Sequence, residues 1–150
     1  MPQLLLTTAY GYNDATYDDF VSDVLTNTDY SGNRLPYSSK HNFSATAQYD
    51  QPLAEGVMLS ARGEYVYRGA TFSDQANTPL YQNDDYNIVN ARLGVSFADP
   101  AIELTVWARN LFDERYTRDL FGGSSAFSPG AYGGFIGDPR TYGFELRKKF

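Results

Sequence analysis

The chain has one histidine, His41, and no cysteine, so the side chains most used for metal ligation and nucleophilic attack are nearly missing. His41 opens a strand-like run beside a loop, with no partner spacing that suggests a catalytic relay or a two-histidine metal site. It reads as an interfacial polar residue. The pairs Asp18–Asp19 and Asp84–Asp85 offer the hard oxygen ligands that calcium takes, but their spacing matches no calcium loop. A solvated acidic surface accounts for them. Asp113–Tyr116, DERY, sets opposite charges side by side at a strand end, where a cap on a rim is expected. The remaining chemistry is aromatic: Tyr81 in one loop, and Phe121, Phe127 and Tyr132 within the Gly/Ser-rich stretch FGGSSAFSPGAYGGF. Rings in loops either stack on a bound ligand or pack against neighbouring loops, and both readings stay open. No catalytic constellation emerges, so neither enzyme activity nor a cofactor is expected.

The elements that must position these residues read as strands. Successive side chains of a strand point to opposite faces, so alternation of apolar and polar residues marks a half-wetted one. Six such runs occur, at about 3–13, 41–50, 57–69, 86–97, 102–112 and 141–150. The third is the cleanest: Val57, Leu59, Ala61, Gly63, Tyr65 and Tyr67 oppose Met58, Ser60, Arg62, Glu64, Val66 and Arg68. In the middle strands Arg62, Glu64, Arg68, Arg92, Glu103 and Arg109 all fall on the polar parity. An arginine facing lipid at mid-membrane costs about 2–4 kcal/mol, so a bilayer enforces this sorting. Leu59, Leu93 and Val106 are expected on the convex, lipid-side face, and Arg62, Arg92 and Arg109 on the concave one. The connections alternate long and short: 14–40, 51–56, 70–85, 98–101 and 117–140. Short turns at one end and long loops at the other is the layout of an outer-membrane barrel.

Composition bounds the class further. At 150 residues the chain is long enough for one ordinary domain. No apolar run approaches the roughly 18 residues of a spanning helix. Aromatics make up 16% of the residues, a content natural to a barrel with two interfacial girdles. The net charge of −6 lacks the basic stripe that nucleic acid would want, so nucleic acid is excluded as a partner. The opening MPQLLLTTAYGY has no basic region and only a short apolar run, so it is not a signal peptide. A piece of a longer chain is the simplest expectation.

The closing run TYGFELRKKF sets Tyr142, Phe144, Leu146, Lys148 and Phe150 against Gly143, Glu145, Arg147 and Lys149. Upstream stand NLFDERY (110–116) and GDPRTYG (137–143), and further back ATYDDF (15–20) and SGNRLPYSSKHNF (31–43). In order and spacing, the segment resembles the C-terminal end of the TonB-dependent outer-membrane receptors. In that family an NLFD-x-x-Y element ends the penultimate strand, a PR-x-Y-G element opens the last one, and the chain ends in Phe.

The resemblance implies an all-β fold, an antiparallel meander of about six strands. It would form a segment of a transmembrane barrel, an open curved sheet when alone, with residues 1–150 as the C-terminal part and the plug domain absent. It implies location in the outer membrane, among outer-membrane lipid. It also implies import of a scarce nutrient of the siderophore, cobalamin or carbohydrate class, with a plug domain and the TonB complex as partners in the parent protein. Tyr142, Gly143, Phe144, Leu146 and Phe150 match the family's signal to the outer-membrane assembly machinery. Trp107, mid-strand on the lumen parity, would pack on the plug or a folded-in loop. Two rivals stand beside it: a passive porin built from several copies, and a soluble β-protein binding carbohydrate with its Tyr-rich face.

Overall fold

The computed structural model describes residues 3–21, 27–123 and 131–149. Among them are ten strands: β1 (Gln3–Tyr12), β2 (His41–Ala54), β3 (Val57–Arg68), β4 (Thr71–Phe72), β5 (Gln82–Asn83), β6 (Tyr86–Phe97), β7 (Ile102–Arg109), β8 (Thr117–Gly123), β9 (Ala131–Ile136) and β10 (Thr141–Lys148). Six form one antiparallel sheet in the order β1-β2-β3-β6-β7-β10, and its two ends are not joined to each other. The fold is thus the expected all-β meander, open rather than closed. The four short strands form two hairpins inside the long connections, β4 with β5 and β8 with β9. No helix among the described residues is long and apolar enough to cross a membrane, which leaves crossing by strands untouched.

The register turns sequence alternation into rows across the sheet. Leu4, Tyr49, Ala61, Leu93, Val106 and Phe144 lie opposite one another from strand to strand, as do Leu59, Val95, Leu104 and Leu146. The next row, on the other face, runs Leu5, Gln48, Arg62, Arg92, Trp107 and Gly143. Leu59, Leu93 and Val106 therefore share one face, and Arg62, Arg92 and Arg109 the other. Leu5 and Trp107 are the large apolar side chains in the arginine row.

Neither face is covered. Among the described residues no hydrophobic side chain is buried, and Leu93, Val106 and Phe144 are 47%, 55% and 82% exposed. A water-soluble sheet must bury one face to gain stability. Here the rows of Leu, Val and Phe stay uncovered among the described residues.

Two boundaries depart from the alternation. The expected turn at 51–56 shrinks to Glu55–Gly56, with β2 running on through Pro52, because a bulge between Pro52 and Ala54 absorbs the proline. Gly56, at φ 71°, supplies the left-handed turn residue. At the other end β7 stops at Arg109, short of Phe112, because Asn110 turns to φ 48° and leaves the ladder.

Candidate functional site at the long-loop rim

The site begins where β7 ends. Asn110 is 4% exposed, and its amide holds three backbone groups. Its Nδ2 donates to the carbonyls of Glu114 at 2.9 Å and Asp138 at 3.0 Å, and its Oδ1 accepts the Glu114 N–H at 2.8 Å. The Asp113 carboxylate accepts the Arg140 N–H at 3.0 Å. Tyr116 stacks on Tyr86 with centroids 4.1 Å apart. A Cβ on Gly137 would sit inside the Tyr116 ring. The NLFDERY and GDPRTYG motifs are thus two halves of one corner. Gly137 is needed to make room for a ring rather than for turn freedom, since its φ is not positive.

The SGNRLPY motif ties the other two loops together. The Arg34 N–H donates to Asn77 Oδ1 at 2.7 Å, and Asn77 Nδ2 returns a bond to the Arg34 carbonyl at 2.9 Å. The Arg34 guanidinium donates to the carbonyls of Ser38 and Ala70 and lies over the Phe72 ring. The third loop joins through Tyr37, whose hydroxyl donates to Asp119 Oδ1 at 3.0 Å, and through the Leu120 N–H to Ser73 Oγ at 3.1 Å. Burial first, then the Asp119 carboxylate, pushes the Tyr37 hydroxyl above its usual pKa. At the base of the first loop Lys40 pairs with Asp14 at 3.0 Å. Lys40, then the Tyr12 hydroxyl, holds the Asp14 carboxyl below its usual range.

Of the predicted ligand-facing rings, Tyr81 closes a short 3-10 turn, Pro79–Tyr81, and is half-buried; its carbonyl accepts the Ser73 N–H at 2.9 Å. Phe121 sits in β8, 48% exposed, with its ring 5.5 Å from that of Phe135. The β8–β9 hairpin thus carries Phe121 on its own aromatic pair, and β8 packs against the turn that holds Tyr81. Tyr132 is described by its backbone alone, opposite Gly122 in β9. Phe127 and Phe150 lie outside the described residues.

Between these loops and the ends of β3 and β6 lies a cleft of about 420 Å³. Tyr37, Arg68, Asn83, Tyr86, Tyr116 and Arg118 are on its walls. None of them stood out in the sequence as a binding residue. Tyr37 and Tyr116 were within recognised motifs, SGNRLPYSSKHNF and NLFDERY; nothing in QNDD distinguishes Asn83.

Further down the arginine face, Glu145 bridges Arg92 at 3.4 Å and Arg147 at 2.7 Å, and Arg147 reaches Glu103 at 3.4 Å. These pairs are half exposed and worth little singly. Trp107 lies across Gly143, where a Cβ would come within 2.6 Å of Cζ2, with the Arg109 guanidinium 5.5 Å from its ring. The indole is therefore already packed within the sheet.

Comparison with known proteins agrees with this geometry. In solved structures, the ferric yersiniabactin uptake receptor FyuA from Yersinia pestis superposes with a TM-score of 0.69 at 23% identity, over 83% of this chain and 18% of that receptor. Such a likeness speaks for the fold, and this chain spans under a fifth of that protein. The family model "TonB dependent receptor-like, beta-barrel" matches residues 3–111, most of the chain. With its open six-stranded meander, its uncovered apolar rows and its welded loop rim, the chain belongs to the TonB-dependent receptor β-barrel family.

Proposed function

We propose that this chain is the C-terminal part of the barrel wall of a receptor that captures a scarce nutrient outside the cell and imports it. Members of the family are transporters of the outer membrane rather than enzymes. The nutrient would be of the siderophore, cobalamin or carbohydrate class. In the full receptor a plug domain fills the lumen beside the Arg62–Arg92 row, and the TonB complex supplies energy. The long loops lie outside the cell and contribute contacts to the nutrient. Tyr142, Gly143, Phe144, Leu146 and Phe150 form the segment read by the assembly machinery.

The observation that carries this reading is the pair of uncovered faces, one apolar and one charged, on a sheet whose ends stay unpaired. In hydrocarbon each unsatisfied edge group costs several kcal/mol, so two open edges cost on the order of tens of kcal/mol. Net folding stability is only about 5–15 kcal/mol. A wall segment alone therefore encloses no pore. Planar-bilayer recordings on the purified chain test this. Silence is expected; reproducible single-channel steps would show that copies close a barrel together and would replace the import reading with a passive porin.

A further inference from the structure

We propose that the cleft between the loops is a subsite for a neutral polyhydroxylated ligand of the saccharide class. This rests on the receptor reading only for the side from which the ligand arrives. Arg68 and Tyr86, opposite each other at the end of the arginine face, place the cleft on the polar side of the sheet.

Three features of the cleft point to that chemistry. The first is Asn83. It is 3% exposed, and its Nδ2 donates to Ser73 Oγ at 2.9 Å and Thr71 Oγ1 at 3.4 Å. Its Oδ1 has no partner among the described residues, although buried polar groups are nearly always bonded. Asn83 lines the cleft with this acceptor closed just beneath the wall, and a turn of the amide toward the cleft would let it take a hydroxyl or amide hydrogen from a ligand.

The second feature is charge. Arg118 lines the cleft with Asp84 and Asp138, yet these opposite charges form no ion pair with one another among the described residues. The guanidinium is a donor only and the carboxylates acceptors only. A hydroxyl both donates and accepts, so a ligand bearing several can satisfy both kinds at once. A strongly anionic or cationic ligand would meet as much repulsion as attraction.

The third is size and surface. About 420 Å³ falls in the ordinary range for small-ligand sites. The stacked Tyr86–Tyr116 pair adds an aromatic wall, locked in place against Gly137.

Isothermal titration of the detergent-extracted full receptor with maltotriose, raffinose and chitotriose tests the proposal. At least one sugar should bind. Asn83→Leu, which removes the acceptor, should weaken that binding tenfold or more. Because Asn83 also ties β5 to β4, Arg118→Ala serves as the second variant: among the described residues its side chain makes no hydrogen bond or ion pair to another element, and it should weaken binding while folded gel mobility is unchanged. Failure of all three sugars to bind would overturn the proposal. So would binding that both variants leave intact, or loss of a ferric chelate's affinity in their place. The import reading fails on a different result, uptake that persists after TonB is removed, which leaves the titration standing.

Discussion

Replacing Asn110 with alanine should be among the most damaging single changes in the chain. The substitution deletes three hydrogen bonds at a site 4% exposed. At about 1 kcal/mol net each, these amount to roughly 3 kcal/mol. Alanine must also adopt the left-handed conformation that Asn110 holds at φ 48°, adding about 1 kcal/mol. The expected loss is about 4 kcal/mol. Asn110→Gly loses the same bonds without the steric strain and should be about 1 kcal/mol less harmful. Urea titrations of the full receptor in lipid vesicles, read by the gel-mobility difference between folded and unfolded forms, measure both. An alanine variant within about 1 kcal/mol of the parent would refute the corner's role. Equal losses for alanine and glycine would refute the conformational part.

Gly143→Ala should push Trp107 off its seat and cost about 1–3 kcal/mol as overpacking, shifting indole emission. Combining it with Trp107→Phe should recover part of the loss, and strict additivity would show that the two do not touch. Asp14 should titrate below an ordinary aspartate by carboxyl NMR, and Lys40→Ala should return it toward the usual value. Because the folded carboxyl ionises more readily than the unfolded one, its contribution to the loop base is present above the ordinary range and fades as pH falls through the lowered value. Deleting Phe150 from the receptor should lower the assembled amount in the outer membrane without changing synthesis. Unchanged surface levels on a quantitative blot would remove the assembly role.

The main sheet was legible because a period of two survives any amount of loop variation. Every arginine of the middle strands was sorted by it, and register then carried the sorting across the sheet. What the period does not encode is which side chains meet across strands. Trp107 was expected to pack on the plug or a folded-in loop, and the period gave no sign that it also lies across Gly143 on the neighbouring strand, a position distant in sequence. The stretch 51–56 was read as a connection, and a bulge carries the strand past its Pro52. The stretch 117–140 was read as loop because glycine and serine crowd it, while Thr117–Gly123 and Ala131–Ile136 pair as a hairpin. Asn83 had no signal at all, since its interest lies in a missing bond. Of the four rings chosen as ligand contacts, Tyr81 and Phe121 sit on adjoining elements, but neither is on the cleft wall.

The division of the sheet into a lipid face and a water face can be measured directly. This chain contributes no cysteine, so in a receptor cleared of any other cysteine, single cysteines at Leu93, Val106 and Arg92 can each carry one spin label. In the receptor reconstituted into lipid vesicles, labels at Leu93 and Val106 should collide readily with dissolved oxygen and rarely with a water-soluble nickel chelate. A label at Arg92, one residue from Leu93, should show the weaker oxygen contact of a site away from lipid. Strong nickel access at Leu93 and Val106, or a lipid signature at Arg92, would contradict the assignment of these strands to a membrane barrel.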